Sequence, residues 1–326
     1  MTYNSAKVIG ECLRSLYDGS CGLRKEVFVV DNASSDNSVS FVQSQFPEVI
    51  IIANQENRWF AAANNQAILR SRGRYILQLN PDTIISESAL RKMIEFLDNN
   101  PGSGAVSVRL LNPDGSLQPS ARNFPTNRNL VIQHILPWRR ISKSLAGKLV
   151  FEFWDHNRAR PVDWLIGACL MVRRQTIEEV GLKDESFPMF YEEADWCYRI
   201  HQAGWSIWLI PDGHVVHLGS TSTMQRWGDK LVLQYYKGKH QFILKHYGMC
   251  SLLLHRFFFS GLLLVRMALA CIAWLLGGLG GSGDTTNRQR NLMRFYVEAL
   301  LIQLRGSAAV SDRLRKEKSG CDGSGR

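Results

Sequence analysis

The 326-residue chain has no pair of cysteines in a C-x-x-C arrangement. Its seven cysteines (Cys12, Cys21, Cys169, Cys197, Cys250, Cys271 and Cys321) are odd in number and scattered. That pattern argues against a disulfide framework and a structural zinc site, and it suits a reducing compartment. A secretory leader is also lacking, because Met1-Thr-Tyr-Asn-Ser5 is not a basic start followed by an apolar stretch. The expected location is therefore cytoplasmic. No G-x-S-x-G elbow and no H-E-x-x-H helix occurs, which removes the usual serine-hydrolase and zinc-protease signatures.

Net charge is missing from the first two-thirds. Residues 1–220 hold 23 basic and 23 acidic side chains, whereas residues 221–326 hold 16 basic against 6 acidic, the whole of the +10. At 45% hydrophobic and 21% charged, the composition is that of a globular protein able to bury a core, not of a disordered or collagenous chain. The expected division is a globular domain over 1–220 and a helical, basic, apolar-rich extension over 221–326.

Long apolar runs are scarce too, apart from residues 257–279, which carry one charge, Arg266. Such a run matches a bilayer core of about 30 Å. A mid-membrane arginine costs roughly 3 kcal/mol, so an interfacial or re-entrant helix pair flanked by Arg256, Arg288, Arg290 and Arg294 is expected instead. The charge lies beside this run and lacks base-stacking aromatics, which points to a membrane surface and to no nucleic acid. Residues from Arg313 onward read as a disordered basic tail.

Within 1–220, apolar spacing predicts a helix over 6–18 from Val8, Ile9, Cys12, Leu13 and Leu16. Glu26-Val-Phe-Val-Val-Asp31 reads as a buried strand, with Asp36 or Ser34 capping the helix that follows. Val49–Ala53 then precedes a helix near 60–72, and Tyr75–Asn80 precedes one near 86–98. Gly104–Leu110 is a further strand, residues 111–160 look irregular, and Trp205–Ile210 and His214–His217 read as strands. Strands alternating with helices predict an α/β fold with a mostly parallel sheet. Ligands of such sheets bind at the carboxyl ends of the strands, where Asp31 and Asp82 fall.

Five constellations carry chemistry. Thr2-Tyr3-Asn4-Ser5 pairs with Val30-Asp31-Asn32-Ala-Ser-Ser-Asp36; a strand-end carboxylate suits the ring N–H of a pyrimidine base, though Asp31 as a simple cap explains it equally. Leu79-Asn80-Pro81-Asp82-Thr83 offers a carboxylate for a hard divalent cation, or an ordinary turn. Gly167-Ala168 permits close ligand approach, and Arg173 and Arg174 suit phosphate; a strand meeting a helix is the plainer alternative. Glu192-Glu193-Ala-Asp195 sets three acids together between Phe190, Tyr191, Trp196 and Cys197, a strained set of the kind found at catalytic sites; a solvated acidic helix start, favoured by the helix dipole, is the plainer alternative. His217 follows as a further metal ligand, with His214 near it.

In this order and spacing the motifs resemble glycosyltransferase family 2, of the GT-A fold, and its bacterial rhamnosyltransferase-like branch. The resemblance covers about residues 2–220 and implies an inverting, metal-dependent transferase using Mg2+ or Mn2+ and a nucleotide-diphospho-sugar. It implies dTDP-rhamnose as donor, with UDP-hexoses second; the membrane-like carboxyl-terminal region points to a lipid-linked or cell-surface glycan precursor as acceptor. Glu193 then stands as catalytic base, supported by Glu192 and Asp195. Thr2, Tyr3, Asn4, Asp31, Asn32, Asn64, Asn80, Gly167, Ala168, Arg173 and Arg174 bind the donor, with Asp82 and His217 at the metal. The alternatives are a nucleotide-sugar-binding protein without turnover and a nucleic-acid module.

Two departures stand out. The segment Asn57-Arg58-Trp59-Phe60 lacks the glycines that the family has before its paired asparagines, here Asn64-Asn65. The family also has an apolar strand directly before its T-Y-N motif, where this chain has only Met1. The expectation is a misassigned start with a Val/Ile-rich strand upstream, and a long unpaired groove wherever that strand is missing. Finally, Gly278-Leu-Gly280-Gly-Ser-Gly283 matches G-x-G-x-x-G but follows an apolar run outside any βαβ unit, so it reads as no dinucleotide site.

Overall fold

The computed structural model describes residues 1–135, 143–187, 189–219 and 231–277, together with Tyr296, Val297, Leu300, Leu301 and Gln303. The glycine run at 278–283, Arg288, Arg290, Arg294 and the basic tail lie outside the described residues. The chain separates into two compact units, Met1–Leu231 and Val232–Arg326.

In the first unit, helix α1 (Ile9–Gly19) is followed by β1 (Phe28–Asp31), α2 (Ser38–Gln45), β2 (Ile50–Ala53) and α3 (Trp59–Arg70). Strands β3 (Tyr75–Leu79) and β4 (Thr83–Ile85) flank the Asn80-Pro81-Asp82 turn and lead to α4 (Ala89–Asn99) and β5 (Ser103–Leu111). The supposedly irregular stretch holds β6 (Leu117–Gln118), β7 (Ala121–Arg122), α5 (Asn127–Ile135), α6 (Lys143–Leu149) and β8 (Arg160–Pro161). Then come β9 (Trp164–Leu165), β10 (Cys169–Arg173), α7 (Arg174–Val180), α8 (Glu192–Gln202) and β11 (Ser206–His217).

The class is α/β, but the large sheet is mixed rather than mostly parallel. Its order is β3-β10-β5-β11-β4, with β6 on β5 and β8 on β11. Only β5 and β11 pair in parallel there; β10 runs antiparallel to both β3 and β5, and β4 to β11. Strand–helix alternation holds as far as β3, which β4 follows through the Asn80–Asp82 turn alone. After β5 the chain reaches its antiparallel neighbour β10 by way of short strands and the helices α5 and α6, a connection that sequence periodicity does not distinguish. The two strands expected at 205–217 are one strand, whose register shifts between Ile210 and His214. Gly213 sits in that bulge at φ 88°, a left-handed conformation that glycine adopts without strain.

Helix α4 buries Ala89, Leu90, Met93 and Leu97, the one-face spacing of an amphipathic helix, against Val106, Val108, Leu110, Ile210 and Val215 of β5 and β11. A smaller core joins α1, β1 and α2 through Ile9, Leu13, Val29, Val42 and Phe46.

Strands β1 and β2 form a separate parallel pair. Between them and the large sheet runs a groove of about 820 Å3, lined by Val27–Val30 on one side and Tyr75–Leu79 on the other. Among the described residues β3 has no partner on its groove edge, and β1 is met there only by the parallel Thr2–Asp31 bridge. Neither Asp82, Glu193 nor His217 lines the groove.

The second unit is dominated by α9 (Leu231–Gly277), broken at Gly248, where φ is 80°. Tyr236 faces Phe259 and His240 faces His255 across the break, so the two arms fold back as an antiparallel hairpin. The apolar run expected to hold a re-entrant pair is instead one helical arm as far as Gly277, Gly261 included. The break falls earlier, at the glycine with positive φ. The stretch Gln234–Cys271 is long and apolar enough to cross a membrane by length and composition. Leu253, Leu254, Phe257, Leu264, Val265 and Leu269 are exposed on the second arm.

Candidate active site

The amino-terminal motif and the end of β1 form one hydrogen-bonded unit. Thr2 N–H donates to Val30 O and Asn32 N–H to Thr2 O. Asn4 accepts from Ser35 N–H at 2.8 Å and donates its own N–H to Ser34. Asp31, buried, accepts from Ser34 N–H at 2.9 Å and from Ser34 Oγ at 2.5 Å, which holds Ala33 at φ 62°. Asn32, fully buried, donates to Trp59 O and accepts from Asn54 Nδ2 and Arg58 N–H. Asp36, below its ordinary value despite partial burial because Ser38 and Ala6 N–H donate to it, caps α2 as expected. Tyr3 lies in the same loop, its carbonyl accepting from Ser5 Oγ.

A second cluster forms where β3 ends. Asn80 N–H donates to Ala168 O, and Gln78 Nε2 donates to Gly167 O at 2.6 Å. Antiparallel pairing of Leu79 with Cys169 brings the two motifs together. Leu218 N–H donates to Asp82 O, which seats the end of β11 beside the turn and puts His217 Nε2 3.4 Å from Asp82 Oδ1 and 3.5 Å from Asn80 Nδ2. Gln118 Oε1, an acceptor only, lies 2.7 Å from His217 Nδ1, so Nδ1 donates. In the neutral ring, Nε2 then turns a lone pair toward a carboxylate, an arrangement that asks for a proton or a cation between them.

Helix α8 brings the acids. Phe190 and Tyr191, immediately before it, both sit at positive φ, 64° and 69°. Two non-glycine residues in this region cost about 1–3 kcal/mol each, strain of the kind held at functional sites. Glu192 and Glu193 are both buried at the first turn. Burial first, then the neighbouring Glu193 charge, pushes the Glu192 carboxyl well above the carboxylate range, and it hydrogen-bonds to Glu193. Glu193 Oε1 packs against Gly167 so closely that a Cβ there would overlap it and Gln78 Nε2. Glycine at 167 thus admits the Glu193 and Gln78 side chains, whereas the motif reading expects a ligand to approach there.

Asn80, Asp82, Gly167, Ala168, Glu192, Glu193 and His217 therefore gather around the ends of β3 and β10, with Thr2, Asn4, Asp31 and Asn32 in the neighbouring cluster. Helix α1 ties the two, since it starts from the Thr2–Ser5 turn and its Cys12 Sγ donates to Asn80 O. Four expected residues fall elsewhere. Arg173 pairs with Tyr75 at the far end of β3 and donates to the carbonyls of Ser103, Leu97 and Asn100. Arg174 binds the Gly73 and Ser71 carbonyls. Both arginines close a helix-to-strand junction rather than face phosphate; the motif reading overlooked that β10 runs away from the site. Asp195 is ion-paired with Arg199 at 3.0 Å, and Arg199 also ties down the Val180 and Leu182 carbonyls. Helical rotation puts position 195 well around from 193, so Asp195 braces the loop instead of the acid pair. Asn64 donates to Phe60 O in its own helix, while its neighbour Asn65 reaches out of α3.

The sequence reading missed Gln78, Gln118 and Lys183, and it named Asn65 only as the second of the paired asparagines. A lone amide in a strand or a lone lysine in a loop gives no local signal; only the fold reveals them.

With this geometry in view, the comparisons with known proteins give the class. The family model described as glycosyl transferase family 2 matches residues 1–179. The chain belongs to that family and is a glycosyltransferase. It is 26% identical over 221 residues to N-acetylglucosaminyl-diphospho-decaprenol L-rhamnosyltransferase of Mycobacterium tuberculosis, over 60% of this chain and 67% of that protein. It is 28% identical over 193 residues to the low-salt glycan biosynthesis hexosyltransferase Agl10 of Haloferax volcanii, over 58% of this chain and 57% of the relative. Among solved structures, a mannosyltransferase from Pyrobaculum calidifontis in complex with GDP-Man and Mn2+ is similar with a TM-score of 0.54 at 18% identity, covering 93% of this chain and 82% of that one. The shared fold is the GT-A class.

Proposed function

We propose that the chain is an inverting transferase that moves a deoxyhexose, rhamnose from dTDP-rhamnose, onto a lipid-linked or cell-surface glycan precursor. The observation that carries the reading is the meeting of Glu193, Gly167 and Gln78 beside the Asn80–Asp82 turn and His217. In this reading Asp31 and the Thr2–Asn4 loop receive the nucleotide base, and Asn80 lies by the ribose. The similarity to the mycobacterial rhamnosyltransferase favours the sugar and the acceptor class.

Asp82 and His217 offer one oxygen and one nitrogen, with Gln118 orienting the imidazole. No cluster of three or more metal-ligating side chains occurs among the described residues, so the fit is to an ion that a diphosphate also holds, Mg2+ or Mn2+. When bound there, such an ion would offset negative charge on the departing diphosphate. Glu193 takes the proton of the acceptor hydroxyl as its oxygen bonds to the anomeric carbon, while the carbon–oxygen bond to the diphosphate breaks and its electron pair leaves with the nucleotide. One displacement inverts the anomeric centre. Gly167, lacking a Cβ, leaves the place that Glu193 Oε1 and Gln78 Nε2 occupy, so that the base can lie against the loop before β10. The exposed apolar arm of α9 and the basic composition after residue 220 favour a cytoplasmic enzyme held peripherally on the inner face of the membrane.

A thermal-shift panel of dTDP-, UDP- and GDP-sugars with Mg2+ or Mn2+, followed by donor hydrolysis, tests this. The expected result is metal-dependent stabilisation and turnover, strongest with dTDP-rhamnose, and loss of the metal response in Asp82→Asn. Equal hydrolysis in excess chelator would overturn the metal assignment; preference for another donor would overturn the sugar.

A further inference from the structure

Lys183 lies in the loop between α7 and α8, and its side chain is fully buried. Asn65 grips the Lys183 peptide from both sides: Lys183 N–H donates to Asn65 Oδ1 at 3.1 Å, and Asn65 Nδ2 donates to Lys183 O at 2.9 Å and to Glu185 Oε1. The stem is thereby directed inward. The ammonium sits 4.7 Å from the Trp196 ring and 5.7 Å from that of Phe60, with Nζ 3.9 Å from Glu193 Oε1. That distance is an ion pair without a hydrogen bond, and Nζ has no hydrogen-bond acceptor among the described residues. An amphipathic lysine ordinarily carries its charge out to water. Holding it in an aromatic box is costly, and an apolar residue of like volume would fill the space at less cost. Packing alone leaves this charge unexplained.

We infer that Lys183 is a positioning residue, whose buried ammonium balances the Glu192–Glu193 pair so that Glu193 is the ionised member facing the acceptor. The inference rests on the proposed reading of Glu193 as base. The groups around the pair support it. Burial first, then the Glu193 charge, raises Glu192 well above the carboxylate range, and its carboxyl hydrogen-bonds to Glu193. Cys197, on the same helix, is pushed by burial up to about 12 and stays neutral. Arg199 is engaged by Asp195 and two carbonyls. Gln78 and Gly167, packed on Glu193 from β3 and the loop before β10, carry no charge. One proton, one carboxylate and one ammonium make the cluster neutral before reaction. Afterwards the acceptor's proton resides on Glu193 and the cluster is cationic beside the departing diphosphate.

The test is Lys183→Met, which keeps the stem but removes the charge, assayed by nucleotide release from dTDP-rhamnose across pH, with Glu193→Gln alongside. The acid-side fall of kcat/KM should move upward by about one pH unit, with kcat at neutral pH down roughly tenfold and recovering as pH rises. Donor Kd should stay within about twofold of wild type. A pH profile superimposable on wild type would overturn the role of Lys183 while leaving the base intact, provided Glu193→Gln is inactive. Near-normal turnover in Glu193→Gln would instead overturn the base and this inference together. Should Lys183→Met not fold, the infrared difference between wild type and Glu193→Gln at neutral pH decides: loss of a carboxylate band supports the inference, and loss of a protonated carboxyl band sinks it.

Discussion

The acid at the end of β1 and the acids at the start of α8 are both buried, yet they are kept in opposite ways. Asp31 has each carboxylate oxygen met by Ser34, and the surrounding Asn4, Asn32 and Asp36 are likewise bonded. Glu192 and Glu193 sit behind two strained residues, with Glu192 Oε2 unpartnered and a buried ammonium for company. Polar groups that are fully satisfied make a scaffold; those left short of partners hold free energy in reserve for a ligand or a proton. In the proposed reading the first cluster shapes the donor side and the second does the chemistry.

Substitutions should therefore separate the two clusters. The largest effect is expected from Glu193→Gln, which should lower transfer by about 10²- to 10⁴-fold while donor binding is nearly unchanged; weak donor binding in calorimetry would contradict the division. Gly167→Ala comes next, because its Cβ would displace Glu193 and Gln78. It should cut kcat by roughly a hundredfold through misplacement of the acid, an effect that steady-state kinetics at saturating donor would read. Asn32→Ala should act on the other cluster and on a different observable. Three hydrogen bonds of the buried Asn32 side chain are lost, so denaturant unfolding should show about 2–3 kcal/mol of destabilisation.

The smallest effect lies away from both. His156 is fully buried and edge-on to Trp154, and neither ring nitrogen has a hydrogen-bond partner among the described residues. Burial first, then the Arg122 charge, pushes it down to about 4. Its folded-state value lies below the ordinary 6.5, so the unfolded chain binds the proton more readily and stability falls as pH drops from about 6.5 toward 4. His156→Phe should remove that part of the acid destabilisation, and Tm measured against pH would show a flatter slope than wild type.

Asp36 at the start of α2 in the first cluster, and Asp82 ending the turn after β3 in the second, were legible because they are carried by short motifs. Gly167 was expected to admit a ligand, whereas Glu193 and Gln78 take the space beside it. Arg173 and Arg174 misled because a motif gives order without direction, and β10 carries them four residues away from the site. Asp195 misled because three acids in four residues look like one set, whereas the helix turns one of them aside to Arg199. Lys183 left no trace in the sequence and Asn65 stood there only as one of a pair, since their meaning comes from a contact spanning 118 residues.

The groove between β1 and β3 divides the sheet into unequally protected halves. Strands β5 and β10 are bonded along both edges, so their amides open only with the whole domain, whereas β3 is bonded on one edge alone. In deuterated buffer the groove-side amides of Tyr75–Leu79 should therefore label well before those of Ala105–Val108, and a mass-spectrometric time course would show the first unit loosening from this seam inward.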